Sequence, residues 1–180
     1  MILASRSPQR RALLEQLGLE FEVVVPEIDE VEDGPADSAA VENARRKATA
    51  VAGQRPDALV LGVDTMVALD RVIYGKPEDG EQARDTLRAL SGRAHAVISG
   101  VCLVQGEQVR TAVARTMVRF RYLDEQLIDW YLNSGEWRER AGGYAIQGRG
   151  AALVAGIEGD YTNVVGLPLT TLLELAPELL

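Results

Sequence analysis

Asp64 follows directly on the apolar run Ala58-Leu59-Val60-Leu61-Gly62-Val63. A carboxylate in that place is costly unless it is paired, bound to a metal or opened to a cleft, which makes Asp64 the first candidate for catalysis. The competing reading is a turn residue at a strand end. A second group lies at the start of the chain, where Met1-Ile2-Leu3-Ala4 runs through Ser5-Arg6-Ser7-Pro8-Gln9-Arg10-Arg11 into an amphipathic helix. Ser7 is a good N-cap and Pro8 suits the first helical position, so free backbone donors and the positive end of the helix point at whatever lies above the turn. Arg6, Arg10 and Arg11 add full charges, and a guanidinium grips phosphate oxygens with two prongs. A surface helix with solvated arginines would carry the same residues. Lys76 in Gly75-Lys76-Pro77 is not a Walker lysine, because Asp70 and Pro77 stand where that loop needs a glycine and a hydroxyl. Gly148-Arg149-Gly150 fails in the same way as a dinucleotide fingerprint.

Other chemistries are thinly supplied. His95 is the only histidine and Cys102 the only cysteine, and no serine or cysteine sits in a nucleophile elbow, which argues against covalent catalysis. Any metal centre must then be built on carboxylates, the ligands of magnesium or manganese. Glu27, Asp29, Glu30, Glu32, Asp33 and Asp37 crowd one stretch. Such a cluster is either a solvated loop or, beside a phosphate site, a holder for the cation that a phosphate substrate carries. Scattered basic residues, two groups of acids and a helix N-terminus suit metal-assisted phosphate chemistry with water as nucleophile.

These residues need elements to position them. The first helix should end at Gly18, and Phe21-Glu22-Val23-Val24-Val25 reads as a strand stopped by Pro26. Residues 38–51 have helical propensity, with Ser38 as the expected cap and Lys47 on the helix. The run 58–63 reads as a strand covered on both faces that delivers Asp64-Thr65 at its C-terminal end, where open α/β sheets bind ligands. Residues 66–74 form a hairpin turning near Asp70-Arg71, and 78–90 form a helix with Ala83, Leu87 and Leu90 on one face. Two long strands, 96–104 and 109–122, flank the Gln105-Gly106-Glu107 turn. In the second, Val118, Phe120 and Tyr122 form the expected buried face. A helix over 124–133, a glycine-dense segment over 141–150, a strand over 152–157 and a last helix over 169–180, interrupted at Pro177, complete the chain.

With 180 residues, 47% of them hydrophobic, the chain can bury one sizeable core, and no linker or repeat divides it, so 1–180 is expected to be a single domain. A net charge of −8 argues against nucleic acid as a partner. No apolar run approaches membrane-spanning length, and the apolar start gives way to arginines too early for a secretory signal; a cytoplasmic protein is expected. Cys102, in Val101-Cys102-Leu103-Val104, reads as core packing.

Six ordered segments match a known family: Leu3-Ala4-Ser5-Arg6-Ser7-Pro8-Gln9-Arg10-Arg11, Gly62-Val63-Asp64-Thr65, Gly75-Lys76-Pro77, Leu90-Ser91-Gly92-Arg93-Ala94-His95, Ala141-Gly142-Gly143-Tyr144-Ala145-Ile146-Gln147-Gly148 and Val165-Gly166-Leu167-Pro168-Leu169. The chain resembles the Maf family of nucleoside triphosphate pyrophosphatases over essentially its whole length. The resemblance implies a mixed α/β fold, an elongated sheet with flanking helices and two lobes around a cleft, related to the inosine triphosphate pyrophosphatases. It places Asp64 on the catalytic acid that activates water and Glu30 on an acidic position of the cleft wall, both placed to hold Mg2+ or Mn2+. It places Ser5, Arg10, Lys47 and Lys76 on positions that contact the triphosphate, and Gln9, Thr65 and Gln147 on positions tied to substrate choice. Tyr144-Ala145-Ile146-Gln147-Gly148 looks like the subgroup acting on dTTP and UTP, which implies release of the nucleoside monophosphate and pyrophosphate. That subgroup usually reads Ser-Pro-Arg-Arg where this chain reads Ser7-Pro8-Gln9-Arg10, so a specificity-linked arginine has become Gln9. Arg11 is one helical step away and should point elsewhere. A pyrophosphatase for modified or purine nucleotides, or a nucleotide-sensing regulator of cell division with little catalysis, are the alternatives. Members of the family often form homodimers, and the resemblance extends that expectation to this chain.

Overall fold

The computed structural model describes residues 1–31 and 33–180; Glu32 of the acidic stretch lies outside them. A seven-stranded mixed sheet runs through the molecule in the order β2-β1-β3-β5-β6-β7, with β4 also on β3. The strands are β1 (Ile2–Ala4), β2 (Glu22–Val23), β3 (Val60–Leu69), β4 (Val72–Tyr74), β5 (Ala94–Gln105), β6 (Gln108–Phe120) and β7 (Val154–Glu158). The helices are α1 (Pro8–Gln16), α2 (Ala36–Ala52), α3 (Gly80–Leu90), α4 (Glu125–Leu132), α5 (Tyr161–Val165) and α6 (Leu169–Leu175). β1 is parallel to β2 and β3, and the other pairings are antiparallel.

β3 and β5 form the spine. Their side chains are buried on both faces, which explains why β3 reads as an unbroken apolar run. At one end of the spine, Leu61, Val63, Val101 and Leu103 pack with Leu3, Leu14, Leu167 and Leu172 on the face that carries α1 and α6. On the opposite face Ile2, Val60, Cys102 and Val104 meet Ala44, Ala48 and Val51 of α2. At the other end Val67, Leu69, Val97 and Phe120 pack with Leu87, Ile128, Tyr131 and Tyr144. The site lies between these two ends.

α2 approaches the sheet very closely. A Cβ on Gly62 would lie 2.2 Å from the Ala44 carbonyl oxygen, and one on Gly100 would lie 2.2 Å from that of Ala40. Two glycines on neighbouring strands under a run of alanines thus let the helix backbone rest on the sheet.

Several expectations need correction. Asp64 does not end a strand, because β3 continues to Leu69, held by the antiparallel pairing of residues 60–68 with β5. The ligand edge arises differently. β1 pairs with β3 only as far as Gly62 and β4 pairs with it only from Val67 onward, which leaves residues 63–66 without a strand partner on that edge among the described residues. Ser38 is not the cap of α2; the helix starts after Pro35, and no side chain caps it. The strand over 21–25 is only Glu22–Val23, and Tyr122 lies beyond β6 and is 78% exposed. The cap of α1 stands as expected, with the Ser7 hydroxyl accepting from the Arg10 amide at 3.4 Å. The hairpin turn at Asp70 and Arg71 also stands, with φ of 51° and 70°.

Candidate active site

The notch in the sheet opens into a cleft of about 1500 Å³. Ser5, Gln9, Arg10, Glu30, Lys47, Asp64, Thr65, Lys76 and Gln147 all border it, so the structure gathers every site residue expected from the sequence around one space. Arg11 does not border it: it pairs with Glu15 at 2.8 Å on the outer face of α1, the consequence of one helical step.

Alternation along β3 sends Asp64 to the α2 face and Thr65 to the α1 face. Asp64 is 6% exposed. Its Oδ1 accepts from the Lys47 Nζ at 2.5 Å and its Oδ2 from the Asn43 Nδ2 at 3.3 Å. Asn43 and Lys47 are four residues apart and share one face of α2, so the close seating of that helix brings both over the same carboxylate. Asn43 also exchanges hydrogen bonds with the backbone of Val31, accepting at 2.7 Å and donating at 3.0 Å. It ties the acidic loop to the helix, and Glu30 Oε1 consequently reaches Lys47 Nζ at 2.7 Å.

On the other face, Arg10 is fixed by three bonds: Nε to the Gly166 carbonyl at 2.9 Å, Nη1 to Ser5 Oγ at 3.0 Å and Nη2 to Thr65 Oγ1 at 3.1 Å. Thr65 and Ser99 hydroxyls meet at 2.8 Å behind it. A guanidinium has five N–H donors, so Arg10 keeps two for a ligand while its orientation is locked. Burial lowers its pKa from the ordinary arginine value, opposed by the negative charges of Asp64 and Glu30. Ser5 Oγ, which also accepts from the Ser7 amide at 3.2 Å, retains its own proton to donate.

The facing wall is looser. Lys76 is half-exposed and lies 3.5 Å from Glu139, which is itself 77% exposed. Gln147 is exposed in the segment after Tyr144, while Gln9 accepts from the Ser7 hydroxyl at 3.1 Å across the cleft. That segment is anchored below by Tyr144, whose hydroxyl meets His95 Nε2 at 2.9 Å, and by the Ala145 amide, which donates to Tyr131 Oη at 3.0 Å. His95, Phe120 and Tyr144 stack edge to face with centroids 4.8–5.5 Å apart. Burial pushes His95 down to about 4 and raises Tyr144, so the imidazole is neutral near pH 7. The sole histidine is therefore a support beneath the wall.

The donor set can be tested for a divalent cation. Two carboxylate oxygens, from Asp64 and Glu30, converge on one cationic point, the Lys47 ammonium. No group of three or more His, Cys, Asp or Glu gathers to hold a metal among the described residues. One or two carboxylates with the remainder from phosphate and water is the donor pattern of magnesium, and the residues fit it.

Sequence reading missed Asn43 and Ser99, and it placed Gly166 in a matching segment without giving it a role. The spacing of Asn43 to Lys47 carried a signal; the other two are joined to Arg10 and Thr65 only by the fold.

The chain is similar to known proteins over nearly its whole length. The family model described as Maf-like protein matches residues 1–179. The chain is 51% identical to the dTTP/UTP pyrophosphatase of Symbiobacterium thermophilum, over 94% of this chain and 88% of the relative. It is 51% identical to that of Myxococcus xanthus, over 94% and 87%, and 41% identical to that of Pyrococcus furiosus, over 97% and 93%. With a single family match covering the motifs on both walls of the cleft, the chain belongs to the Maf family.

Proposed function

We propose that this chain hydrolyses nucleoside triphosphates, with dTTP and UTP favoured, between the α- and β-phosphates to give the monophosphate and pyrophosphate. The observation that carries the reading is Asp64: a buried carboxylate in mid-strand, opened to the cleft by the notch and held from two sides by Lys47 and Asn43. Asp64 accepts the proton of the attacking water, whose oxygen bonds to the α-phosphorus as the bridging oxygen to the β-phosphorus leaves. Arg10, Lys47, Lys76, Ser5 and the N-terminus of α1 bind the triphosphate and spread the charge that gathers on departing pyrophosphate. A magnesium or manganese ion, held by Glu30 and Asp64, would supply further neutralisation of phosphate charge. Gln9, Thr65 and Gln147 choose the base, with the two-sided amide of Gln147 suited to a pyrimidine edge.

A cytoplasmic location belongs to the same proposal and is supported by the lone buried Cys102, which leaves the fold independent of disulfides. Among the described residues no helix is long and apolar enough to cross a membrane. A homodimer is proposed as well, supported by exposed Val109 and Val113 on the part of β6 that β7 does not pair. The test is pyrophosphate released from a panel of nucleoside triphosphates, with and without magnesium. Preferred release from dTTP and UTP supports the reading, and nucleotide binding without release from any of the panel overturns it in favour of a sensor.

A further inference from the structure

Two cations that border the cleft, Arg6 and Arg140, have no role in the proposed reaction, and only Arg140 has an enclosed nitrogen without a partner. Arg140 borders the cleft and is half-buried. Its Nε is shut off from solvent and has no hydrogen-bond partner. Buried donors are almost always satisfied, so the unpartnered Nε marks a guanidinium that no protein acceptor holds, while its two terminal nitrogens keep access to solvent and are the atoms a ligand in the cleft would meet. Of the acceptors on the facing wall, Asp64 and Glu30 both hold Lys47. The neighbour Glu139, at φ 58°, is turned toward Lys76.

Arg140 is also firmly placed. Its carbonyl accepts from the Gly143 amide at 2.9 Å, and the Gly142 amide donates to the Gly75 carbonyl at 3.0 Å, which ties the arginine's segment to the turn that carries Lys76. Gly142 sits at φ 69°, and a Cβ there would lie 2.8 Å from Val67, so the tie depends on glycine. Two cations, Lys76 and Arg140, therefore stand on one joined wall. Acceptor-only oxygens of a polyphosphate match both, and the planar fork of arginine matches them in pairs.

We propose that Arg140 binds the polyphosphate of the substrate and, with Lys76, holds the end that departs as pyrophosphate, across the cleft from Asp64. The proposal rests on the triphosphate reading above, and its test is chosen to stand apart from it. Binding of inorganic tripolyphosphate, measured by titration calorimetry, needs neither base nor turnover. Arg140→Gln and Arg140→Met should each weaken it by about tenfold to a hundredfold, the range for losing a charge-assisted contact. Arg140→Lys should recover part of the loss. Unchanged affinity in either neutral variant that melts at the parent's temperature overturns the proposal, whether or not the parent hydrolyses dTTP. A changed ratio of dTTP to CTP efficiency with tripolyphosphate affinity intact would place Arg140 at the base and overturn it equally. Failure of the parent to release pyrophosphate, with the tripolyphosphate loss still seen, would sink the hydrolase reading alone.

Discussion

The two walls of the cleft are built on different principles. The wall made by β3, α1 and α2 is packed and paired before any ligand arrives: Lys47 and Asn43 hold Asp64, and Ser5, Thr65 and Gly166 hold Arg10, through bonds of 2.5–3.3 Å. The wall made by the Gly75–Pro77 turn and residues 139–148 carries exposed side chains, one loose ion pair and an orphaned guanidinium nitrogen. Groups that must meet a reacting atom in one geometry sit on a strand and helices, where packing locks their rotamers. Groups that must release and regrip a charged, changing substrate sit on turns. Under the proposed function, the water-activating carboxylate and most of the triphosphate contacts belong to the first wall, and the second adds adjustable grips on the substrate.

The sharpest way to break that division is Asp64→Asn. The amide keeps shape and hydrogen bonds but cannot accept the proton, so turnover of dTTP should fall about a hundredfold or more while nucleotide binding persists. Pyrophosphate release under saturating substrate measures it. Near-parental turnover would remove the first wall from the chemistry.

The support beneath the second wall can be read through pH. His95 titrates near 6.5 when unfolded and at about 4 in the fold. Between those values the unfolded chain binds more protons, so stability falls as pH drops from 6.5 to 4, by roughly 3 kcal/mol in all. His95→Gln should remove that part of the acid slope in denaturant unfolding followed across this range, although it also loses some packing against Phe120 and Tyr144. An identical slope in parent and variant would mean that the imidazole is not held neutral.

The two walls also differed in how far the sequence disclosed them. Ser7 as cap and Asp70-Arg71 as hairpin turn were legible because both are local: each depends on residues within a few positions. The meeting of Lys47 with Asp64 was not legible from periodicity. It needs α2 to settle on Gly62 and Gly100, a contact between segments far apart in the chain. The resemblance supplied the roles of these residues, and the fold supplies the reason they are together. Asp64 was expected at a strand end because the apolar run stops there, whereas pairing with β5 carries the strand past it. Arg140, between Glu139 and Ala141, was given no role from the sequence, since nothing in the local sequence shows that its Nε is enclosed.

Base choice tests whether the walls share a task. Gln147 stands on the second wall and Gln9 on the first. Gln147→Ala should flatten the preference for dTTP and UTP over CTP and purine triphosphates, at a cost of about 1 to 3 kcal/mol for an unpaired polar edge. Gln9→Arg should sharpen it, because a charged donor replaces a neutral amide. Relative kcat/KM across the panel measures both. Ratios unchanged in both variants would place base selection elsewhere.

The smallest effect concerns the loose pair. Lys76 and Glu139 are both largely in water and 3.5 Å apart, so their attraction is weak, at most about 1 kcal/mol. Weakness is what a capture residue needs: the substrate must take Lys76 from Glu139, and a strong pair would oppose binding. Removing the competitor by Glu139→Gln should therefore lower KM for dTTP by about two- to fivefold at low ionic strength with kcat unchanged, and the gain should fade as salt screens both charges. The same substitution leaves Asp64 and Lys47 untouched, so a change in kcat would show that the second wall takes part in the chemical step. A raised KM would make Glu139 a ligand in its own right, holding the substrate and not the lysine.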